Sequence, residues 1–89
     1  IKAVADFYDI GEKELIQHSR KKDVVRPRQI AMYLIRDNLK SSYPSIGDKF
    51  GGRDHTTVIH SCEKVARELA TNLELEEELK AIKERMLMG

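Results

Sequence analysis

Gly51-Gly52-Arg53-Asp54-His55-Thr56-Thr57-Val58 is the stretch on which the reading of this chain turns. Two glycines end one short helix, and small polar and basic side chains open the next. From Val58 onward the apolar residues Val58, Cys62, Val65 and Leu69 fall at i, i+4, i+7 and i+11, which is a stripe at helical period. Thr56, His60 and Lys64 take the opposite face. A helix with a buried back and a polar N-terminal tip has the form of a recognition helix, whose tip a DNA major groove can receive.

Upstream, Ile46-Gly47-Asp48-Lys49-Phe50 completes a helix, glycine turn, helix pattern over about residues 45–70. Ile46 and Phe50 are expected to pack inward, Gly47 to permit close approach, and Val58 to anchor the second helix. The turn is one residue longer than in simple bacterial repressors, which makes this an extended helix-turn-helix. Ser45 is read as the cap of the short helix, and Ser41-Ser42-Tyr43-Pro44 as a break, because proline disfavours a helical conformation in the residue before it.

Working outward, residues 2–8 with Val4, Ala5, Phe7 and Tyr8 read as a short helix. Glu12 to His18 read as a second, with Leu15 and Ile16 turned inward. Residues 19–26 read as a basic loop. Pro27 suits a helical first turn, where its missing N–H costs nothing, so the next helix is expected from there to about Lys40. Ile30, Ala31, Leu34 and Ile35 supply its apolar side. Thr71 or Asn72 can cap a last helix that buries Leu75, Leu79, Ile82 and Met86. No strand-like alternation, repeat or low-complexity tract occurs. The fold class expected is all-α, about six helices in a single domain over residues 1–89.

Size and composition agree. Eighty-nine residues with five aromatics and no tryptophan allow one modest, aliphatic core. No apolar run approaches the ~20 residues that span a bilayer. The single cysteine, Cys62, lies on the apolar stripe and reads as a buried thiol in a cytoplasmic protein. The start at Ile1 suggests a piece of a longer chain. Net charge is +1, but its distribution is uneven. Residues 20–67 hold eleven basic and five acidic side chains, net +6, between acidic ends of net −2 and −3. Such a block implies a polyanionic partner, and duplex DNA is the first reading. The alternative is a helical interaction module whose basic surface meets an acidic protein or an anionic lipid.

Catalysis fits poorly. His55 and His60 are five residues apart, so they do not share a helix face for a metal, and His60 and Cys62 point to different sides. No G-x-x-x-x-G-K-[ST] phosphate loop is present. The expectation is no enzyme, no metal and no cofactor in this chain.

The residues as a set resemble the C-terminal DNA-binding domain of the bacterial replication initiator family DnaA. The likeness runs over Val4-Ala5, Phe7-Tyr8, Ile10, Arg20, Arg28 to Leu34, Pro44, Ile46-Gly47 and Phe50 to Val58, then His60, Lys64 and Val65. It implies binding to short, asymmetric, A·T-rich duplex boxes at a replication origin. ATP is then expected only on an upstream domain of the full-length protein. Regulatory proteins and acidic phospholipids are implied partners of that full-length protein, and the isolated domain is expected to be monomeric.

The resemblance also implies base contacts for Asp54, His55, Thr56 and Thr57, and the chemistry allows them. Asp54 can accept from cytosine N4, His55 can donate to thymine O4 or a purine N7, and the threonine methyls can meet thymine C5-methyl groups. Asp54 can equally be a helix cap, and Thr56 and Thr57 ordinary first-turn residues. Arg20 matches the arginine that enters the neighbouring minor groove, which is narrow and strongly negative where A·T-rich. Lys21 and Lys22 read as phosphate-attracting or merely solvated. Arg28 and Gln29 match backbone-contacting positions, and Arg36, Tyr43, Pro44, Arg53, His60 and Lys64 are further candidates for the DNA backbone. Tyr43 stands where the family usually has leucine, and Asp37-Asn38-Leu39 where Glu-Leu-Thr is usual.

Overall fold

In a computed structural model, which describes residues 1–17 and 21–88, every regular element is an α-helix. They are α1 (Lys2–Phe7), α2 (Glu12–Ile16), α3 (Lys22–Leu39), α4 (Tyr43–Lys49), α5 (His55–Leu69) and α6 (Leu73–Met88). None of them is long and apolar enough to cross a membrane.

The central helix is α3, on which α1, α2, α4 and α5 all pack. Ile30, Ala31, Leu34 and Ile35 are buried as expected, and Val24 and Met32 are buried as well. A helix covered on several sides carries apolar residues around more of its circumference than a surface helix does.

Two helices start earlier than expected, each for a tertiary or capping reason. Residues 22–26 are the first turns of α3, so the loop expected over 19–26 is shorter, and Pro27 lies inside the helix. The N–H groups of Val24 and Val25 both donate to the carbonyl of Lys21, closing the first turn. Val24 is 3% exposed and Arg26 forms an ion pair with Glu68 of α5. Burial of one residue and docking of another outweigh the lost hydrogen bond at proline. Likewise α4 begins at Tyr43, because the hydroxyl of Ser42, not Ser45, caps it by accepting from the Ser45 N–H at 3.2 Å. Pro44 then occupies the first turn, which tolerates it.

The turn between α4 and α5 runs from Phe50 to Asp54. The Gly47 carbonyl accepts from the N–H groups of Phe50, Gly52 and Arg53 at 3.0–3.1 Å. Gly51 and Gly52 have φ of 79° and 75°, a left-handed conformation that costs glycine little. Ile46, Phe50 and Val58 are fully buried at this corner. A Cβ on Gly47 would sit 2.3 Å from the carbonyl oxygen of Arg53, so the close approach expected here is between Gly47 and the turn backbone.

At the far end of the chain Asn72 caps α6, its Oδ1 accepting from the Leu75 N–H at 3.1 Å. Leu75, Leu79 and Ile82 are buried and Met86 is half-buried against the core, as the periodicity predicts. Tyr8 donates to Glu78 and Lys83 donates to Asp37, tying α6 to α1 and α3.

Gly47→Ala should destabilise the domain by about 1–3 kcal/mol, because its methyl meets rigid backbone and not a movable side chain. Denaturant unfolding should show a lower midpoint with an unchanged slope; an unchanged midpoint would mean that the turn can open without cost.

Candidate nucleic-acid interface

The helix α5 has a sharply divided surface. Val58, Ser61, Cys62 and Val65 are buried, and burial pushes the Cys62 thiol up to about 11. Thr56, Thr57, His60 and Lys64 are exposed, as are Asp54 and His55 at its tip. No base-reading candidate of this helix is enclosed in the core. The exposed face therefore presents one carboxylate, one imidazole ring, two hydroxyls with their methyls, and further along a second imidazole and an ammonium group.

Asp54 is the N-cap of α5. Its Oδ1 accepts from the Thr56 N–H at 2.9 Å, and the His55 Nδ1 lies 3.7 Å from the same oxygen. Hydrogen bonding from the Thr56 backbone, supported by the Thr56 hydroxyl and the neighbouring His55, holds the carboxyl below its ordinary value of 3.8. One oxygen is thus committed to the helix start.

The remaining candidates divide. Lys21 is exposed at the start of α3 and Pro44 is exposed in the first turn of α4, while Gln29 is half-buried. Arg20 and the side chain of Lys22 lie outside the described residues, as do His18 and Ser19. Arg28 is 5% exposed and donates its Nε to the Leu15 carbonyl at 3.1 Å. It sits in the second turn of α3, so it is not the helix-start residue the sequence implied. Arg53 is half-buried and donates Nη2 to the Gln17 carbonyl at 2.8 Å. Arg36 donates to the Ser41 carbonyl at 2.8 Å and lies 4.2 Å above the Tyr43 ring, bracing the corner between α3 and α4. Tyr43 thus supplies an aromatic face where leucine is usual. Leu39 ends α3 60% exposed and brings no hydroxyl.

A signal for the inward course of Arg28 was present in the sequence. Val24, Arg28, Ala31 and Ile35 fall at i, i+4, i+7 and i+11, so the arginine lies on the apolar stripe and must reach an acceptor from there. The Arg26 and Glu68 pairing, 42 residues apart, had no such signal.

With this geometry established, likeness to other proteins decides the family. A model of the bacterial dnaA protein helix-turn-helix matches residues 1–65. The chain belongs to that family. Relatives bearing the name chromosomal replication initiator protein DnaA include those of Limosilactobacillus reuteri (45% identical over 96% of this chain), Chloroflexus aggregans (46% over 99%) and Geobacter metallireducens (48% over 97%). The chain spans 18–19% of the length of these relatives. Membership in the DnaA family makes this helix-turn-helix a DNA-binding one.

The depressed Asp54 carboxyl gives a pH test. A carboxyl lowered by folding stabilises the native state above its unfolded value of 3.8 and loses that contribution as pH falls through its folded value. Carboxyl-carbon NMR titration should place the Asp54 midpoint below 3.8; a midpoint at or above it would show that the cap is not held in solution.

Proposed function

We propose that this chain is the origin-recognition domain of a bacterial chromosomal replication initiator and reads short, asymmetric, A·T-rich duplex boxes. The observation that carries the reading is the exposed tip of α5, residues 54–57, on a helix whose other face is sealed into the core. The relatives that share this sequence are named as replication initiators. In this reading Asp54, His55, Thr56 and Thr57 meet base edges in the major groove. His60 and Lys64, further along the same exposed face, approach the phosphates beside it. Pro44, Gln29 and Lys21 present exposed or half-exposed surface on neighbouring helices and join the backbone contacts, with Lys22 following Lys21. Arg20 enters the adjoining minor groove, where a narrow A·T-rich groove attracts a guanidinium.

The rest of the initiator, about four-fifths of the length of the relatives, would carry the ATP-dependent assembly function. Regulatory proteins and acidic phospholipids would act through that full-length protein in the bacterial cytoplasm, and the isolated domain would bind as a monomer.

Titration against a box duplex and a scrambled duplex at fixed salt tests the reading directly. A preference of several hundred-fold for the box is expected, within the range of specific protein–DNA recognition. Equal and salt-sensitive binding to both would reduce the chain to a generic polyanion binder, and vesicles of anionic lipid that outcompete the box would favour a membrane surface. Replacing His55 by alanine should cost about 5- to 150-fold on the box and relax preference at one base position. Lys21→Ala should weaken all duplexes alike and lower the salt slope by about one unit; a base-specific loss there would contradict its assignment to phosphate.

A further inference from the structure

A short connection, Lys40-Ser41-Ser42, joins α3 to α4, and one side chain braces it. Lys40 ends α3 with φ 54°, a left-handed conformation that a residue with a side chain adopts at a cost. From the last turn of α3, Arg36 donates Nη1 to the Ser41 carbonyl at 2.8 Å. Its guanidinium carbon lies 4.2 Å from the centre of the Tyr43 ring, which is half-buried against the core. The arginine therefore grips both the connection and the first residue of α4. Between those two points Ser42 caps α4. Its hydroxyl accepts from the Ser45 N–H at 3.2 Å and its carbonyl from the Ile46 N–H at 3.0 Å. Pro44 stands exposed in the turn that these bonds define.

The setting of Arg36 is a poor one for a phosphate. Asp37 and Glu63 line the same groove between α3 and α5, so a phosphate brought there would meet carboxylates as well as the guanidinium. The charge of Arg36 also reaches the buried Cys62 thiol of α5, where it opposes the rise that burial causes. A planar fork can stack on a ring and donate to a carbonyl at once, in a geometry that an ammonium group does not reproduce. Leucine, usual in the family at position 43, would offer no aromatic face to stack on.

We infer that Arg36 and Tyr43 act as one positioning unit, which fixes the start of α4 and with it the presentation of Pro44 to the DNA backbone. The inference rests on the box-reading function proposed above, in which Pro44 joins the backbone contacts. It replaces the expectation that Arg36 and Tyr43 themselves touch that backbone. Backbone contacts position a protein without reading sequence, so loss of the unit weakens every duplex and leaves base preference intact.

The test titrates variants of the chain against a box duplex and a scrambled duplex over a range of salt, at a temperature where melting shows each variant folded. Tyr43→Phe keeps the ring and should bind as wild type. Tyr43→Leu removes the ring, and Arg36→Lys keeps the charge without the fork. Each should weaken both duplexes by about threefold or more, with the wild-type salt slope. Arg36→Met combined with Tyr43→Leu should cost no more than Arg36→Met alone, because the second change removes a partner already lost. Wild-type binding by Arg36→Lys, with a salt slope lowered by about one unit in Arg36→Met, would make Arg36 a phosphate contact and overturn the inference. Additive losses in the double variant would overturn it, as would a smaller loss than stated in either Tyr43→Leu or Arg36→Lys. Tyr43→Phe as weak as Tyr43→Leu would put the phenol hydroxyl itself on the DNA, and a loss confined to the box would move the effect to base reading by α5; both count against the unit. A wild-type chain with no preference for the box would show instead that the box-reading function itself is wrong, before any variant is compared.

Discussion

The carbonyl oxygen of Arg53 lies 2.3 Å from where a Cβ on Gly47 would stand, and the turn that joins α4 to α5 depends on that approach. Because Gly47 has no side chain, the turn backbone can fold onto α4 and collect three N–H donors on one carbonyl. Gly51 and Gly52 then reverse the chain through left-handed φ values, and Asp54 starts α5 at once. Val58 and Phe50, both fully buried, lock the angle between the two helices. A wider turn would move α5 away from α4, on which it packs. The polar tip of α5 is useful only because an apolar corner behind it is rigid.

Basic residues in this domain serve two different purposes. Lys21 and Lys64 lie exposed at the surface. Arg26, Arg28, Arg36 and Arg53 point their donors at a glutamate or at backbone carbonyls of other segments. The division follows side-chain chemistry. A planar guanidinium offers several donors in a fixed fork and is less strongly hydrated than an ammonium group, so it can close a loop against a helix end. A count of positive charges therefore overstates the charge that this domain turns toward DNA.

Asp54 is a helix cap on an exposed helix tip. Its Oδ1 satisfies the Thr56 N–H, which would otherwise be one of the orphan donors of the helix start. The cap also orients the first turn, so His55, Thr56 and Thr57 present their side chains from a fixed platform.

Periodicity alone determined six helices, the apolar face of each of the longer ones, and the polar tip of α5. These are local properties: a 3.6-residue repeat places Val58, Cys62 and Val65 on one side of a helix whatever surrounds it, and Leu75, Leu79 and Ile82 likewise. The sequence also marked Gly47 as a point of close approach and Gly51-Gly52 as the break between the two helices. The start of α3 and the fate of the arginines were decided by tertiary structure. Proline at 27 argues locally for a helix start, but burial of Val24 and the pairing of Arg26 with Glu68 extend the helix past it. Whether an arginine faces solvent or a carbonyl depends on which segment packs beside it, and that neighbour can lie 36 residues away, as Gln17 does from Arg53. Local pattern sets which faces are apolar, but only the packed chain brings a distant acceptor within reach of a given donor.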